Sequence, residues 1–242
     1  MMRTVLIAFM IMISYHSLDA QKKKTNYIKK IPAPLTIDAD WEKAPWNKIE
    51  AISLEHYMGE RPEHFPKVQV KAAYDDQCIY LIWKVNDQYV RAVAEKHQDP
   101  VYKDSCVEFF FSTHNTEDRS YFNLEMNCGG TMLFNHHGTP GDQVTKLPDH
   151  DMEQVKIAHT MPKMVPTEIT DTVTWYLEYA IPFAMLNKYQ EFETPTSGTV
   201  WQGNFYKIAD DTSHPHWLTW SQVVFPKPRF HMPEFFGKLV FE

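Results

Sequence analysis

The feature that most constrains this chain is a two-residue alternation of side-chain character that returns in one short segment after another. Val68, Val70, Ala72 and Tyr74 alternate with Gln69 and Lys71. Val107, Phe109 and Phe111 alternate with Glu108, Phe110 and Ser112, and Phe122, Leu124 and Met126 with Tyr121, Asn123, Glu125 and Asn127. Val173, Trp175, Leu177, Tyr179 and Ile181 alternate with Thr172, Thr174, Tyr176 and Glu178. A period of two places successive side chains on opposite faces, so each segment reads as a half-buried strand. Residues 78–85 are apolar on both faces and read as a central strand. Further strands are expected at 154–160, 203–209, 217–220 and 237–241, with helix confined to 182–186 and part of 88–96. Many short strands between turn signals predict an all-β chain folded as an antiparallel β-sandwich. The stretch 129–152, rich in Gly, Pro, Asp and His, reads as a long surface loop.

Composition then bounds the function. With 24 Lys+Arg against 31 Asp+Glu the net charge is -7, which argues against nonspecific nucleic-acid binding through a basic surface. Hydrophobic residues at 43% suffice for a core and exclude a disordered chain. The aromatic share, 14%, suits strands and flat ligand-stacking surfaces.

Met1-Met2-Arg3, the apolar run Val5–Ile13 and a more polar stretch ending at Ala20 match a secretory signal peptide. An apolar run this short covers roughly half of the ~30 Å hydrocarbon layer, so it does not span. The expected organisation is a signal peptide at 1–20, a linker or edge segment at 21–32 and one domain at 33–242, secreted or periplasmic. Cys78, Cys106 and Cys128 show no C-x-x-C spacing. Cys78 and Cys106 each open an apolar run and could meet on neighbouring strands, or all three could be small buried hydrophobes.

Several pieces, taken in order, resemble a family nine carbohydrate-binding module. They are Leu35-Thr36-Ile37-Asp38 leading to Trp41, Ala73-Tyr74-Asp75-Asp76 before Ile79-Tyr80, and Asp104-Ser105-Cys106-Val107-Glu108-Phe109-Phe110. Tyr121-Phe122-Asn123 follows, then Trp175-Tyr176-Leu177-Glu178-Tyr179-Ala180-Ile181-Pro182. Trp220-Ser221 and Pro233-Glu234-Phe235-Phe236-Gly237-Lys238-Leu239 close the set. The resemblance implies a jelly-roll sandwich that holds a mono- or oligosaccharide, a chain end above all, without catalysis and in polysaccharide utilisation. Separate polysaccharide-degrading enzymes are the implied partners. In the family two Trp side chains clamp the sugar ring; the matching positions here are Tyr102 and Phe230. The family's strand glutamate matches Glu108, and a polar residue on the next strand matches Asn123. Some members carry calcium, through acidic residues for which no match is evident here.

The residues themselves support such a site. A sugar ring needs a flat aromatic for its apolar face and fixed carboxylates or amides for its hydroxyls. Alternation puts Glu108 on the side opposite Val107 and Phe109, and Asn123, Glu125 and Asn127 opposite Phe122, Leu124 and Met126. His214, His216, Trp217, Trp220, Phe230 and His231 fall close together in the sequence and suggest either the rim of a sugar pocket or a transition-metal site. The candidate ligand residues are therefore Tyr102, Glu108, Asn123, Glu125, Phe230, His231 and His216, with Trp220 assigned to the core and His136-His137 to the solvated loop. Glu108 with Glu125 could form a glycosidase pair, although chance supplies such pairs in any antiparallel sheet. Related sandwiches bind haem through axial Met or His, for which Met126 or His231 would serve. A sandwich that binds a protein partner and has lost its sugar pocket is the remaining alternative.

Overall fold

The structure is a computed structural model describing residues 23–114, 119–139 and 143–242. The expected signal peptide lies outside the described residues. In chain order the strands are β1 (Thr25–Lys30), β2 (Ile52–Ser53), β3 (His56–Tyr57), β4 (Lys67–Tyr74), β5 (Cys78–Asp87) and β6 (Val90–Ala92). Next come β7 (Cys106–Ser112), β8 (Tyr121–Asn127), β9 (Met132–His137), β10 (Thr145–Lys146), β11 (Lys156–His159) and β12 (Val165–Ile169). The last are β13 (Val173–Pro182), β14 (Val200–Ile208), β15 (Trp217–Thr219) and β16 (Gly237–Phe241).

One layer runs β10-β9-β8-β7-β14-β16 and the other β4-β5-β13-β11, with β1 joining them. Thr25–Ile28 of β1 pair with β16, and Lys29–Lys30 pair with β4 in the opposite layer. The segment read as a linker or edge is therefore a strand that passes from one layer to the other. Both of its pairings are parallel, so the sandwich is mixed where a purely antiparallel one was expected. All other pairings among the described residues are antiparallel, in agreement with the alternating pattern.

Aromatic side chains fill the space between the layers. Phe205, Phe109, Phe111 and Trp201 form a stack with successive ring centroids 5.1, 4.5 and 5.5 Å apart. Trp83 meets Phe205 edge-on, and Trp175 and Leu177 are fully buried in the same core. Much of the aromatic content thus fills the interior. Gly237, in the closing motif, has no side chain for a physical reason: a Cβ there would come within 2.6 Å of Trp220 and 2.8 Å of the Lys24 carbonyl.

The outward face of the β4-β5-β13 layer is covered by the chain itself. Trp41, Trp46 and Ile49 pack on Tyr80, Ile82 and Ala180. Glu178 of β13 pins this cover, accepting hydrogen bonds from Asp38 N (2.8 Å), Ala39 N (2.7 Å), Trp46 Nε1 (2.7 Å) and Lys43 Nζ (2.8 Å).

Two expectations are corrected and one alternative is decided. Residues 129–152 contain β9, whose Met132 and Phe134 enter the core; the polar Asn135, His136 and His137 hid its alternation. Residues 88–96 contain the strand β6 and no helix. Cys78 lies on β5 and Cys106 on β7, in different layers, and all three cysteines are free. Met126 is fully buried in the central core.

Candidate functional site

The outward face of the other layer is only partly covered. Phe110, Tyr206, Ile208, Phe230 and Phe236 form a second apolar cluster there. Beside it a cavity of about 430 Å³ is floored by four adjacent strands. Alternation brings Ile208 from β14, Glu108 and Phe110 from β7, Asn123 and Glu125 from β8, and Leu133, Asn135 and His137 from β9 to this one face. Tyr102, Asp210, Trp217 and residues 228–231 form the walls.

Glu108 and Glu125 are directly opposed across the β7–β8 ladder and are only 2% and 5% exposed. Directly opposed side chains on antiparallel strands touch, and two carboxylates so placed repel. The Oε2 atom of each meets no hydrogen-bond donor among the described residues. Burial, then the charge of Glu125, pushes Glu108 well above the usual carboxylate range. Burial raises Glu125 to about 7, and Asp210 pushes both upward. Two buried carboxyl groups so placed resist being ionised together.

Asn123 is committed inside the protein: its Nδ2 donates to Glu125 Oε1 at 2.9 Å and its Oδ1 lies 2.8 Å from His137 Nε2. With the amide nitrogen turned to the carboxylate, the amide oxygen accepts and His137 carries its proton on Nε2. Burial and the neighbouring histidines lower His137 to about 4, so the ring is neutral at pH 7. Asn123 therefore orients Glu125. Tyr121 supports this arrangement, stacking on His137 at 4.5 Å and sharing a hydrogen bond with His231 Nδ1 at 2.8 Å. Burial against these rings and the charge of Arg229 lower His231 to about 4, although the residue as a whole is exposed.

The motif around Glu108 builds the walls. Asp104 Oδ2 accepts from Val93 N, Ala94 N and Asn127 Nδ2 at 2.9–3.0 Å. That anchor fixes the turn of 3-10 helix at Val101–Lys103, which holds Tyr102 half-buried at the cavity edge. The Tyr102 carbonyl accepts from Asp210 N at 3.1 Å, and Asp210 Oδ1 accepts from Trp217 Nε1 at 2.7 Å. Phe230 is 6% exposed and stacks on Tyr206 at 4.1 Å.

Of the seven candidates, Tyr102, Glu108, Asn123, Glu125, Phe230 and His231 line this cavity. His216 does not. It is 2% exposed, with Nε2 at 2.7 Å from Lys207 Nζ, in a network where Lys207 and Asp87 bridge the two layers at 3.1 Å. Its alternation partner Trp217 faces the cavity, so sequence proximity misplaced it by one residue. Asn127 is also structural: its Oδ1 accepts from Gly129 N and Thr131 N and closes the β8–β9 turn. His137, assigned to a solvated loop, belongs to the cavity instead, and Asn135, Asp210 and Arg229 join it without having been expected. The alternation Leu133, Asn135, His137 was the signal that could have placed the β9 residues. Among the described residues no three His, Cys, Asp or Glu side chains converge as a metal site.

A family model described as Carbohydrate-binding family 9 matches residues 34–241. The chain belongs to carbohydrate-binding family 9. A proposed carbohydrate-binding protein from Bacteroides uniformis is 30% identical, with a TM-score of 0.82 over 91% of this chain and 100% of that one. Two structures of a family 9 module from Caldicellulosiruptor kristjanssonii, in complex with cellotriose and with glucose, share the fold at TM-scores of 0.61 and 0.60. They are 14% and 15% identical, over 90% of this chain and 94% and 96% of theirs. A protein from Arthroderma benhamiae named "Extracellular protein" is 22% identical over 81% of this chain and 87% of its own length.

Proposed function

We propose that this family 9 protein binds a mono- or oligosaccharide non-catalytically, taking a chain end into the cavity on the β7–β8–β9 face. The observation that carries the reading is the combination in one cavity of opposed carboxylates (Glu108, Glu125) with aromatic walls (Tyr102, Trp217, Phe230). Aromatic faces receive the apolar side of a pyranose, and acceptor oxygens receive its hydroxyls. The cavity shares His137, Arg229 and His231 with an adjoining groove of about 690 Å³, which gives the rest of a chain room to leave. Family membership supports the reading, as do the glucose and cellotriose held by the Caldicellulosiruptor modules.

The carboxylate pair suits hydrogen bonding better than hydrolysis. Glycosidases set two carboxyl groups about 5 Å or more apart across the scissile bond. Glu108 and Glu125 instead face one another from adjacent strands of one floor, and burial raises both above the usual carboxylate range. The protein would act in a secreted or periplasmic setting beside separate polysaccharide-degrading enzymes. The N-terminal signal pattern and the name of the Arthroderma relative support that placement.

Calorimetric titration of the protein with a panel of mono- and oligosaccharides tests the reading. Saturable binding, unchanged in His216→Ala and weakened in Tyr102→Ala, is the expected result. A folded protein that binds no member of a broad panel would overturn it.

A further inference from the structure

The next step rests on the carbohydrate-binding reading and concerns the kind of sugar unit the cavity floor selects. That floor is rich in acceptors and poor in free donors. Glu108 Oε2, Glu125 Oε2 and Asn135 Oδ1 all lack a donor among the described residues, and Asn135 is 8% exposed. Three of the nearby donors are already engaged: Asn123 Nδ2 by Glu125, His137 Nε2 by Asn123, and Trp217 Nε1 by Asp210.

Charge tells the same story. Three carboxylates, from Glu108, Glu125 and Asp210, line the cavity, and none forms an ion pair among the described residues. Lys207 is close enough to act on Glu108 electrostatically, but its ammonium is committed to Asp87, His216 and the Ile208 carbonyl. Arg229 is the one arginine or lysine among the lining residues; it is exposed and its guanidinium lies over Phe225, 5.7 Å from the ring centroid. His137 and His231 are neutral near pH 7.

We propose that the cavity selects a saccharide unit bearing a free ammonium group, a 2-amino-2-deoxyhexose with its amine unacetylated, over the neutral sugar of the same configuration. An ammonium group carries three donors and a positive charge. Placed over the opposed carboxylates, it supplies the missing donors and relieves their repulsion, which a hydroxyl does only in part. An acetamide loses both the charge and two of the donors. A uronic acid would add negative charge to a cavity already lined by three acidic side chains whose ionised forms burial disfavours.

Calorimetry near neutral pH and at low salt tests this with two matched pairs, glucose with glucosamine and galactose with galactosamine, and with N-acetylglucosamine. The expected result is that one of the amino sugars binds about tenfold or more tightly than its neutral or acetylated counterpart, because hydrogen bonds to a charged group are stronger than neutral ones. The preference should shrink as salt rises. It should fall to within about twofold in Glu125→Gln, and also in Asp210→Asn, whose half-buried wall position makes loss of folding a lesser concern. Neutral sugars that bind as well as their amino counterparts overturn the inference and leave the carbohydrate-binding reading standing. A preference that survives both substitutions overturns the assignment to these carboxylates. Absence of saturable binding to any of these sugars overturns the inference, and failure across the broad panel as well removes the reading beneath it.

Discussion

Glu178 and the Glu108–Glu125 pair are buried carboxylates on the outward faces of the two layers of one sandwich, and their surroundings differ in kind. Glu178 is fully buried, and four donors from residues 38–46 surround it. Glu108 and Glu125 are almost as buried, yet each has an oxygen without a donor among the described residues and each faces the other. The first carboxylate joins a covering segment to its layer. The second pair costs stability and leaves hydrogen-bonding capacity that a ligand can use. Burial alone does not separate structure from function here; what separates them is whether the chain supplies the partners.

The largest effect that would break this contrast is on Glu178. Glu178→Ala should destabilise the fold by about 3–5 kcal/mol, because it removes the common acceptor of four donors and leaves the Lys43 ammonium beside an apolar cover. Urea unfolding measures it. A loss below about 1 kcal/mol would mean that the cover holds through Trp41 and Trp46 alone.

Acidity sharpens the comparison next. Glu125 is raised from 4.5 to about 7, so the folded state favours its protonated form. Its contribution to stability is complete below pH 4.5 and is lost as pH rises through about 7. His137 and His231, lowered to about 4, and His216, lowered to about 3, run the other way and withdraw stability as pH falls below 6.5. The difference between Glu125→Gln and the parent protein isolates the opposed pair from the histidines. That variant should gain about 1–3 kcal/mol relative to the parent between pH 4.5 and 7 and stay level above it. Thermal unfolding across that range decides the matter, and a gain independent of pH would contradict it.

Smaller effects fall on the ligand. Glu108→Gln should weaken sugar binding about tenfold while leaving the fold as stable or more stable at pH 8, the reverse of the result for Glu178. Tyr102→Ala should lose ~0.5–1.5 kcal/mol of affinity, one aromatic face, with little change in melting temperature because Tyr102 is only half-buried. Calorimetry with paired melting curves reads both.

The layered fold was legible because two-residue alternation is a local signal, and β7, β8 and β13 carry it without interruption. It failed at β9, where Asn135, His136 and His137 place polar side chains on both faces, and at β1, whose role depends on pairing with β16 from the far end of the chain. The candidate site was legible to a similar depth. Alternation put Glu108, Asn123 and Glu125 on the outward faces of their strands, Asn127 with them, and the resemblance singled out Glu108 and Asn123. Tyr102 and Phe230 came from the resemblance, since nothing local says that an aromatic in a loop will border a cavity. Asp210 and Arg229 lie on irregular segments and reach the cavity only through tertiary packing. His216 shows the converse: it stands next to Trp217, the first residue of β15, yet its ring turns inward to Lys207 while Trp217 lines the cavity.

The central claim is that sugar enters the cavity between Tyr102, Trp217 and the Glu108–Glu125 floor. The chain has 7 tryptophans, and Trp217 is the one that lines this cavity, the others being buried elsewhere. Their indole N–H signals in a proton–nitrogen correlation spectrum, followed during titration with a bound sugar, therefore report the site directly. The account predicts that the Trp217 indole signal moves in step with saturation while those of Trp41, Trp46, Trp83, Trp175 and Trp201 stay in place. Saturable binding with a stationary Trp217 signal, above all with movement at Trp41, would put the sugar on the other layer and contradict it.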